Sequence, residues 1–437
     1  MNAGTPANDT KAKVRQLQVA LYLASKANPK RRFHALYDKI YREDVMRVAW
    51  SRVKANGGSA GIDQETMEYI VREYGEERLI AECRQALMDK TYRAKPVRRR
   101  EIPKPDGKMR PLGIPTIRDR VIQMAAKIVV EPIFEADFQD CSYGFRPKRK
   151  AHDALRRIRE TAERDRIHWV VDVDITGYFD NIPHDKLMKM VEQRVSDRRV
   201  LKLIRMWLKA GVMKEGELHE TEIGSPQGGV ISPLLANLYL HYLDTIWTKR
   251  FTHLGTLIRY ADDMVILCRQ RQQALKALEI LKAVFRKLEL TMNADKSKLV
   301  HLWEGKEGFD FLGFTHRRMP YWGRKGRVIY FLRSHPSRKA MKKMRMRVKE
   351  KLGPRNRLGW TLQALIREMN PIIQGWKNYY AAIDTSMANH FLSKVDWYIR
   401  RRFSLWWNKK HRRRKAGHVK LSELLRFAGL KTVSSWG

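Results

Sequence analysis

Two adjacent acids stand between two apolar runs in Leu257-Ile258-Arg259-Tyr260-Ala261-Asp262-Asp263-Met264-Val265-Ile266-Leu267. Short β-prone runs around a small, acidic break read as strand, tight turn, strand. A hairpin tip carrying two carboxylates needs positive charge close by, because each negative charge opposes ionisation of the other. Solvent counterions, a neighbouring Arg or Lys, or a divalent metal would each supply it. Magnesium takes oxygen ligands and uses one or two carboxylates together with substrate phosphates. Taken alone, Asp-Asp is equally ordinary turn chemistry.

A second acidic strand changes that balance. In Ile167-His168-Trp169-Val170-Val171-Asp172-Val173-Asp174, period-2 alternation puts Ile167, Trp169, Val171 and Val173 on one face and Asp172 and Asp174 on the other. A core strand ending in a carboxylate beside the hairpin tip would make a three-carboxylate cluster. That is the donor set of a two-metal site, which stabilises the attacking and leaving oxygens of a phosphoryl displacement.

Charge narrows the partner. The 437 residues carry 88 Lys+Arg against 47 Asp+Glu, a formal net charge of +41. Self-repulsion on that scale calls for a polyanion, with nucleic acid favoured over an anionic membrane surface. No apolar run approaches the ~18–20 residues that span a bilayer, and the N-terminus has no signal-peptide core. Cys83, Cys141 and Cys268 are isolated and form no zinc or disulfide pattern, as in a reduced, intracellular protein. The length exceeds one compact core, and 43% hydrophobic residues suffice for two or three.

Along the chain, residues 1–12 are small and polar and are expected to be disordered. A helix follows over 13–27 on Val14, Leu17, Leu21 and Ala24. The run Lys30-Arg31-Arg32 is a solvated face or a phosphate contact. Asn56–Asp63 is a Gly-rich turn. Around Pro105-Asp106-Gly107, two β-capable arms make a basic hairpin with Lys104 and Arg110 on opposite arms. An apolar helix over 118–135 should end near Pro132. Ser232-Pro233 should open a helix with Ser232 as its cap. Gln270–Leu288 is an amphipathic core helix. Residues 335–437 hold 25 Lys+Arg and 5 Asp+Glu. There Arg400-Arg401-Arg402 and Arg412-Arg413-Arg414-Lys415 bracket Trp406-Trp407, a pattern suited to RNA backbone and base stacking.

Three of these stretches together carry a resemblance: Tyr260-Ala261-Asp262-Asp263, Asp174-Ile175-Thr176-Gly177-Tyr178-Phe179-Asp180 and Gly224-Ser225-Pro226-Gln227-Gly228-Gly229. They resemble a reverse transcriptase, more narrowly the reverse transcriptase/maturase of bacterial group II introns. Ile102–Pro115, Ser142–Pro147, Asn293–Lys298, Phe309–Phe314 and Asn370–Tyr380 extend the likeness over nearly the whole chain. The resemblance implies an α+β right-hand polymerase, with an antiparallel palm sheet flanked by helices. The expected parts are an N-terminal extension covering the template (1–55), fingers (56–165), palm (166–316), a linker hairpin (317–336) and a basic helical thumb/maturase unit (337–437). No Cys/His endonuclease segment follows in this sequence, which resembles the compact lineages without one.

The resemblance also assigns roles. Asp174, Asp262 and Asp263 would be catalytic metal ligands, with Ile175 contributing its carbonyl, for two Mg²⁺ ions or alternatively Mn²⁺. Lys104, Arg110, Phe179 and Gln227 would bind the incoming nucleotide, with Phe179, or alternatively Tyr178, excluding a 2′-OH. Lys30, Arg31, Arg32, Arg400, Arg401, Arg412, Arg413 and Arg414 would contact nucleic acid. The implied partners are an RNA template, a DNA or RNA primer, dNTPs and a group II intron RNA, in a bacterial cytoplasm and on the nucleoid when bound to DNA. The alternatives are a free-standing relative serving DNA repair or phage defence, and a splicing cofactor that chiefly binds RNA. Oligomeric state is not legible.

Overall fold

The computed structural model describes residues 6–103, 109–214, 217–219, 224, 228–322, 327–411 and 418–434. Its strands are β1 (Val97–Pro103), β2 (Met109–Ile114), β3 (Trp169–Val173), β4 (Val212–Lys214), β5 (Glu217–His219), β6 (Thr256–Tyr260), β7 (Asp263–Cys268), β8 (Lys298–His301), β9 (Gly308–Phe311), β10 (Phe314–Trp322) and β11 (Val328–Pro336). They form three sheets, ordered β6-β7-β3-β8, β2-β1-β4-β5 and β11-β10-β9.

The β6-β7-β3-β8 sheet is antiparallel throughout and sits in the middle of the chain's packing. Both of its faces are covered, so β7 reads as a continuous apolar run, Met264 to Cys268, rather than an alternating one. Val171, Val173, Met264 and Ile266 face a large core that they share with the helices of the N-terminal half. Val170, Ile258, Val265 and Leu267 face a second core, closed by the helix Ala151–Arg164 and by Phe309, Phe311 and Phe314. A third core lies within the C-terminal helices Arg338–Leu352, Leu362–Tyr380 and Thr385–Lys410. His152 Nε2 lies 2.8 Å from the Tyr379 carbonyl, and Arg159 donates to the Ile383 carbonyl at 3.0 Å, tying that basic helical part to the central sheet. The fold is therefore the expected α+β arrangement of fingers and palm followed by helices. No helix among the described residues is long and apolar enough to cross a membrane.

Three local expectations are corrected. The first helix spans Pro6–Ala27, so much of the stretch expected to be disordered is helical. Pro6 opens it, Asp9 sits in its first turn, and an i,i+4 pair of Asp9 and Lys13 at 2.7 Å supports it. Its far end docks by Ser25 Oγ donating to the Ile133 carbonyl at 2.9 Å. The buried helix Ile117–Glu135 runs on through Pro132. Proline removes the hydrogen bond to the carbonyl four residues earlier, and Gln18 Nε2 donates to that carbonyl, Ile128 O, at 3.2 Å. The helix Ser232–Ile246 starts at Ser232 itself, with Ile231 as its uncapped N-terminal residue and Pro233 in the first turn.

The sheet's packing sets a first expectation. Ile266 is fully buried in β7. Ile266→Ala should lower unfolding free energy by ~2–5 kcal/mol in urea titrations. A change below ~0.5 kcal/mol would contradict the packing described.

Candidate active site

Tyr260 pairs with Asp263 across the β6–β7 hairpin, leaving Ala261-Asp262 as a two-residue turn. Ala261 has φ +59° while Asp262 is not in the positive-φ region, the sign pattern of a type II′ turn. Such a turn usually takes Gly first, and a left-handed non-Gly residue costs ~1–2 kcal/mol. β3 pairs antiparallel with β7 in the register Val173↔Met264. One step further along that register brings Asp174 across from Asp263. The three acids singled out in the sequence therefore meet at one end of the central sheet.

The carboxylates are crowded. Asp263 stays exposed at the start of β7, yet the protein beside it partly desolvates its carboxyl and the charges of Asp262 and Asp174 add to this, so its pKa rises to about 6 although Lys296 opposes the shift. Asp172, one pleat back on the same face, is pushed up to about 7, by burial first and then by the charge of Asp263. Lys296 Nζ lies 3.4 Å from Asp174 Oδ2, and the Asp174 N–H donates to Ser297 Oγ at 3.2 Å.

The donor set fits hard divalent cations. It consists of oxygens, which suit Mg²⁺ and Mn²⁺ and not softer metals. The strand continues past Asp174, with Asn293 N–H donating to Asp174 O and Thr176 N–H donating to Thr291 O. Carbonyls alternate edges along a strand, so the Ile175 carbonyl turns to the opposite edge, the side of the hairpin tip. Among the described residues no group of three or more His, Cys, Asp or Glu is placed so that it could hold a metal ion by itself. An open carboxylate set is what Mg²⁺ uses when substrate phosphates complete its shell.

What holds the tip in place was missed in the sequence. Arg259, in β6, is fully buried. Its guanidinium donates to both oxygens of buried Asp244 at 2.8 and 2.5 Å, to Ser142 Oγ at 2.8 Å, to Asn237 Oδ1 at 3.1 Å and to the Ala261 carbonyl at 2.8 Å. Asn237 in turn donates to the Gly144 carbonyl at 2.7 Å. Gly144 lies so close that a Cβ there would be 2.4 Å from the Ala261 nitrogen. The signal was an Arg inside an apolar strand and an Asp inside an apolar helix, since a buried charge requires a partner. Beside this network Phe145 is 49% exposed at φ +56°, its ring centroid 6.5 Å from that of Tyr260. An exposed, strained aromatic beside the tip is a further candidate that sequence reasoning did not single out.

The remaining expected residues fall as follows. Tyr178 is buried and donates its hydroxyl to the Ala236 carbonyl at 2.5 Å. Phe179 packs edge-on against it and is also buried. Lys104 and Gln227 lie outside the described residues. Arg110 is in β2, opposite Ile102. Flanking Gln227, a Cβ on Gly224 would strike the Asp180 backbone and one on Gly228 would strike the Gly113 carbonyl. Gly224 thus lies against the acidic motif and Gly228 against the basic hairpin. Lys30, Arg31 and Arg32 are exposed on the N-terminal part, with Arg31 over Phe33 at 5.1 Å and Arg32 donating to the Glu192 carbonyl at 3.0 Å. Arg400 and Arg401 are exposed on the helix Thr385–Lys410, with Arg401 over Trp397 at 5.3 Å. Arg412, Arg413 and Arg414 lie outside the described residues.

The buried pair generates a test. Asp244→Ala strands the Arg259 charge and should cost ~3–5 kcal/mol in urea unfolding. Asp244→Leu with Arg259→Met should recover most of that loss. The same double variant should speed hydrogen exchange across Tyr260–Met264, because the Ala261 carbonyl has lost its donor. Unchanged exchange there would mean that Arg259 does not hold the tip.

Residues 102–316 match the family "Reverse transcriptase (RNA-dependent DNA polymerase)", and residues 341–423 match the "Group II intron, maturase-specific domain". The group II intron-encoded protein LtrA of Lactococcus lactis subsp. cremoris is 43% identical over 215 residues, covering 48% of this chain and 35% of LtrA. Protein YkfC of Escherichia coli (strain K12) is 36% identical over 265 residues, covering 53% of this chain and 69% of YkfC. The putative COX1/OXI3 intron 2 protein of Saccharomyces cerevisiae is 26% identical over 343 residues, covering 65% of this chain and 39% of that protein. The match thus spans about a third of LtrA. With the acidic tip, the polymerase match and the maturase match on one chain, this protein belongs to the group II intron-encoded reverse transcriptase/maturase family.

Proposed function

We propose that the chain is an RNA-directed DNA polymerase that extends a primer 3′-OH on an RNA template. The observation that carries this reading is the β3–β7 register, which sets Asp174 against Asp263 beside the Ala261-Asp262 turn. Reverse transcriptases as a family use divalent metal ions. Asp174, Asp262, Asp263 and the Ile175 carbonyl would hold two Mg²⁺ ions, with Mn²⁺ as the alternative. Bound there, the ions would make the primer hydroxyl more acidic and neutralise charge on the triphosphate.

The chain's own part is positioning and charge stabilisation, which dominate phosphoryl transfer. Lys104 and Arg110 would hold the triphosphate, Lys as a point charge and Arg as a planar fork. Phe179 would underlie the nucleotide sugar and reject a 2′-OH, and Gln227 would hydrogen-bond the nucleotide or the template backbone. Arg259 keeps the hairpin tip in register without touching substrate. The domain limits that serve this function are an N-terminal template-covering extension (1–55), fingers (56–165), palm (166–316), linker hairpin (317–336) and thumb/maturase (337–437). Asp262→Asn with Asp263→Asn should abolish primer extension on an annealed RNA template while RNA affinity stays within about twofold, since phosphate contacts supply most of it. Retained polymerisation would defeat the assignment.

A second activity is favoured by the net charge of +20 over 335–437 and by the separate core of those helices. We propose that this part, with Lys30, Arg31 and Arg32 in the N-terminal extension, binds intron RNA and assists its splicing. It requires no aspartate chemistry. Arg412→Ala, Arg413→Ala and Arg414→Ala together should lower intron RNA affinity and flatten the slope of log K against log salt by up to ~3. Splicing assistance should fall with it, whereas the double aspartate variant should still promote splicing. An unchanged salt slope would remove these arginines from the interface.

A further inference from the structure

β10 and β11 pair over nine residues each, whereas β9 covers only Phe314–Arg317 of β10. The base of this ribbon is clamped from two sides. Arg318 Nη2 donates to the Ile167 carbonyl at 2.9 Å, and the Arg333 guanidinium grips the Asp384 carboxylate at 2.6 and 2.9 Å. Leu332 is buried there. Beyond Arg317, among the described residues, no third strand pairs with the ribbon. Its side chains stand in solvent, with Tyr321 58% exposed, Trp322 69% and Phe331 42%.

The cross-strand register sorts them. Tyr321, Ile329, Met319 and Phe331 share one face, and Trp322, Val328, Pro320 and Tyr330 share the other. Tyr321 and Phe331 meet edge to face at 6.1 Å. Exposed apolar and aromatic side chains on both faces of an uncovered ribbon end mark an interaction surface. The charge of the sequence segment that carries it selects the partner. From Phe311 to Lys349 the sequence has 13 Lys+Arg and no Asp or Glu. A second copy of this chain would bring another +41 field against it. A polyanion complements the charge, and flat aromatic rings among arginines suit the faces of unstacked bases. A duplex offers its backbone and keeps its bases stacked inside, so it leaves the rings unused.

We propose that the distal half of the β10–β11 ribbon is a two-sided stacking surface for unpaired RNA bases, with Tyr321 and Phe331 on one face and Trp322 and Tyr330 on the other, lying on a different sheet from the carboxylates. The choice of RNA over single-stranded DNA rests on the proposed polymerase and splicing functions. The stacking chemistry does not.

The test uses the full chain with Tyr321→Leu, Trp322→Leu and Phe331→Leu together, which keeps apolar area and removes the rings. Fluorescence anisotropy with an unstructured 15-nucleotide oligo(rU) should register an affinity loss of at least ~10-fold. An RNA duplex of equal length should bind within about twofold of wild type, because phosphate contacts carry it. Tyr321→Phe with Trp322→Phe should bind oligo(rU) like wild type. Extension of a short, fully annealed template–primer should change less than about threefold. Oligo(dT), run in parallel, should lose no more than oligo(rU). The proposal is overturned if the leucine variant binds oligo(rU) normally, if it loses the duplex equally, if annealed extension collapses, if oligo(dT) suffers the greater loss, or if its sedimentation differs from wild type. A wild-type chain that shows the ring-dependent binding but copies no template would sink the polymerase reading and leave this one standing.

Discussion

Negative charges brought together at the end of a packed antiparallel sheet are the constraint around which the rest of the structure is arranged. Asp263 faces Asp174 across the β3–β7 ladder, Asp262 sits in the same turn, and Asp172 lies one pleat behind. Partial desolvation first, and then their mutual repulsion, raise the Asp263 and Asp172 carboxyls to about 6 and about 7. A fold optimised for stability alone would not put them there. The arrangement persists because the strands that carry the acids are covered by apolar side chains on both faces, so the register cannot slip without exposing a core.

The tip itself is held by a second, opposite device. Arg259 and Asp244 bury a charge of each sign beneath it, and the guanidinium uses its remaining donors on Ser142, Asn237 and the Ala261 carbonyl. A buried pair is weak evidence for stability, because desolvation offsets most of the attraction. Its value here is directional. It fixes the carbonyl of a residue held at φ +59°, and it joins the hairpin to the Ser142–Gly144 loop, which has no side chain at Gly144 and so can lie directly on the turn. Thus a strained turn bearing acids is over-determined by a planar donor that can serve several acceptors at once.

Much of this was legible in the chain. Period-2 alternation and the Ala-Asp-Asp break located β3, β6 and β7. Pro105-Asp106-Gly107 located the β1–β2 hairpin, and the apolar stripe of Gln270–Leu288 located the helix Arg271–Lys287. Local periodicity carries such elements because it reports which side of a strand or helix is buried. What it does not carry is who supplies a missing partner from afar. The helix through Pro132 depends on Gln18, more than a hundred residues away. The close approach of Gly144 to Ala261 depends on two loops meeting. Arg259 announced that it needed an acid, but the choice of Asp244 belongs to the tertiary fold. Sequence alone places a linker hairpin over 317–336, and the paired ribbon begins three residues earlier, at Phe314. Its exposed rings become conspicuous only once the third strand is seen to stop short.

The account stands or falls on whether the acidic cleft gathers paired cations around a growing strand. The most direct measurement is a crystal structure of the chain with annealed RNA template and primer, an unreactive nucleotide and Mn²⁺, with anomalous maps collected at the manganese edge. Two peaks ~3.5–4 Å apart, ligated by Asp174 and by acids of the Tyr260–Asp263 hairpin and touching the nucleotide phosphates, are the predicted result. Maps with no manganese in that cleft, while template, primer and nucleotide are bound, would contradict it.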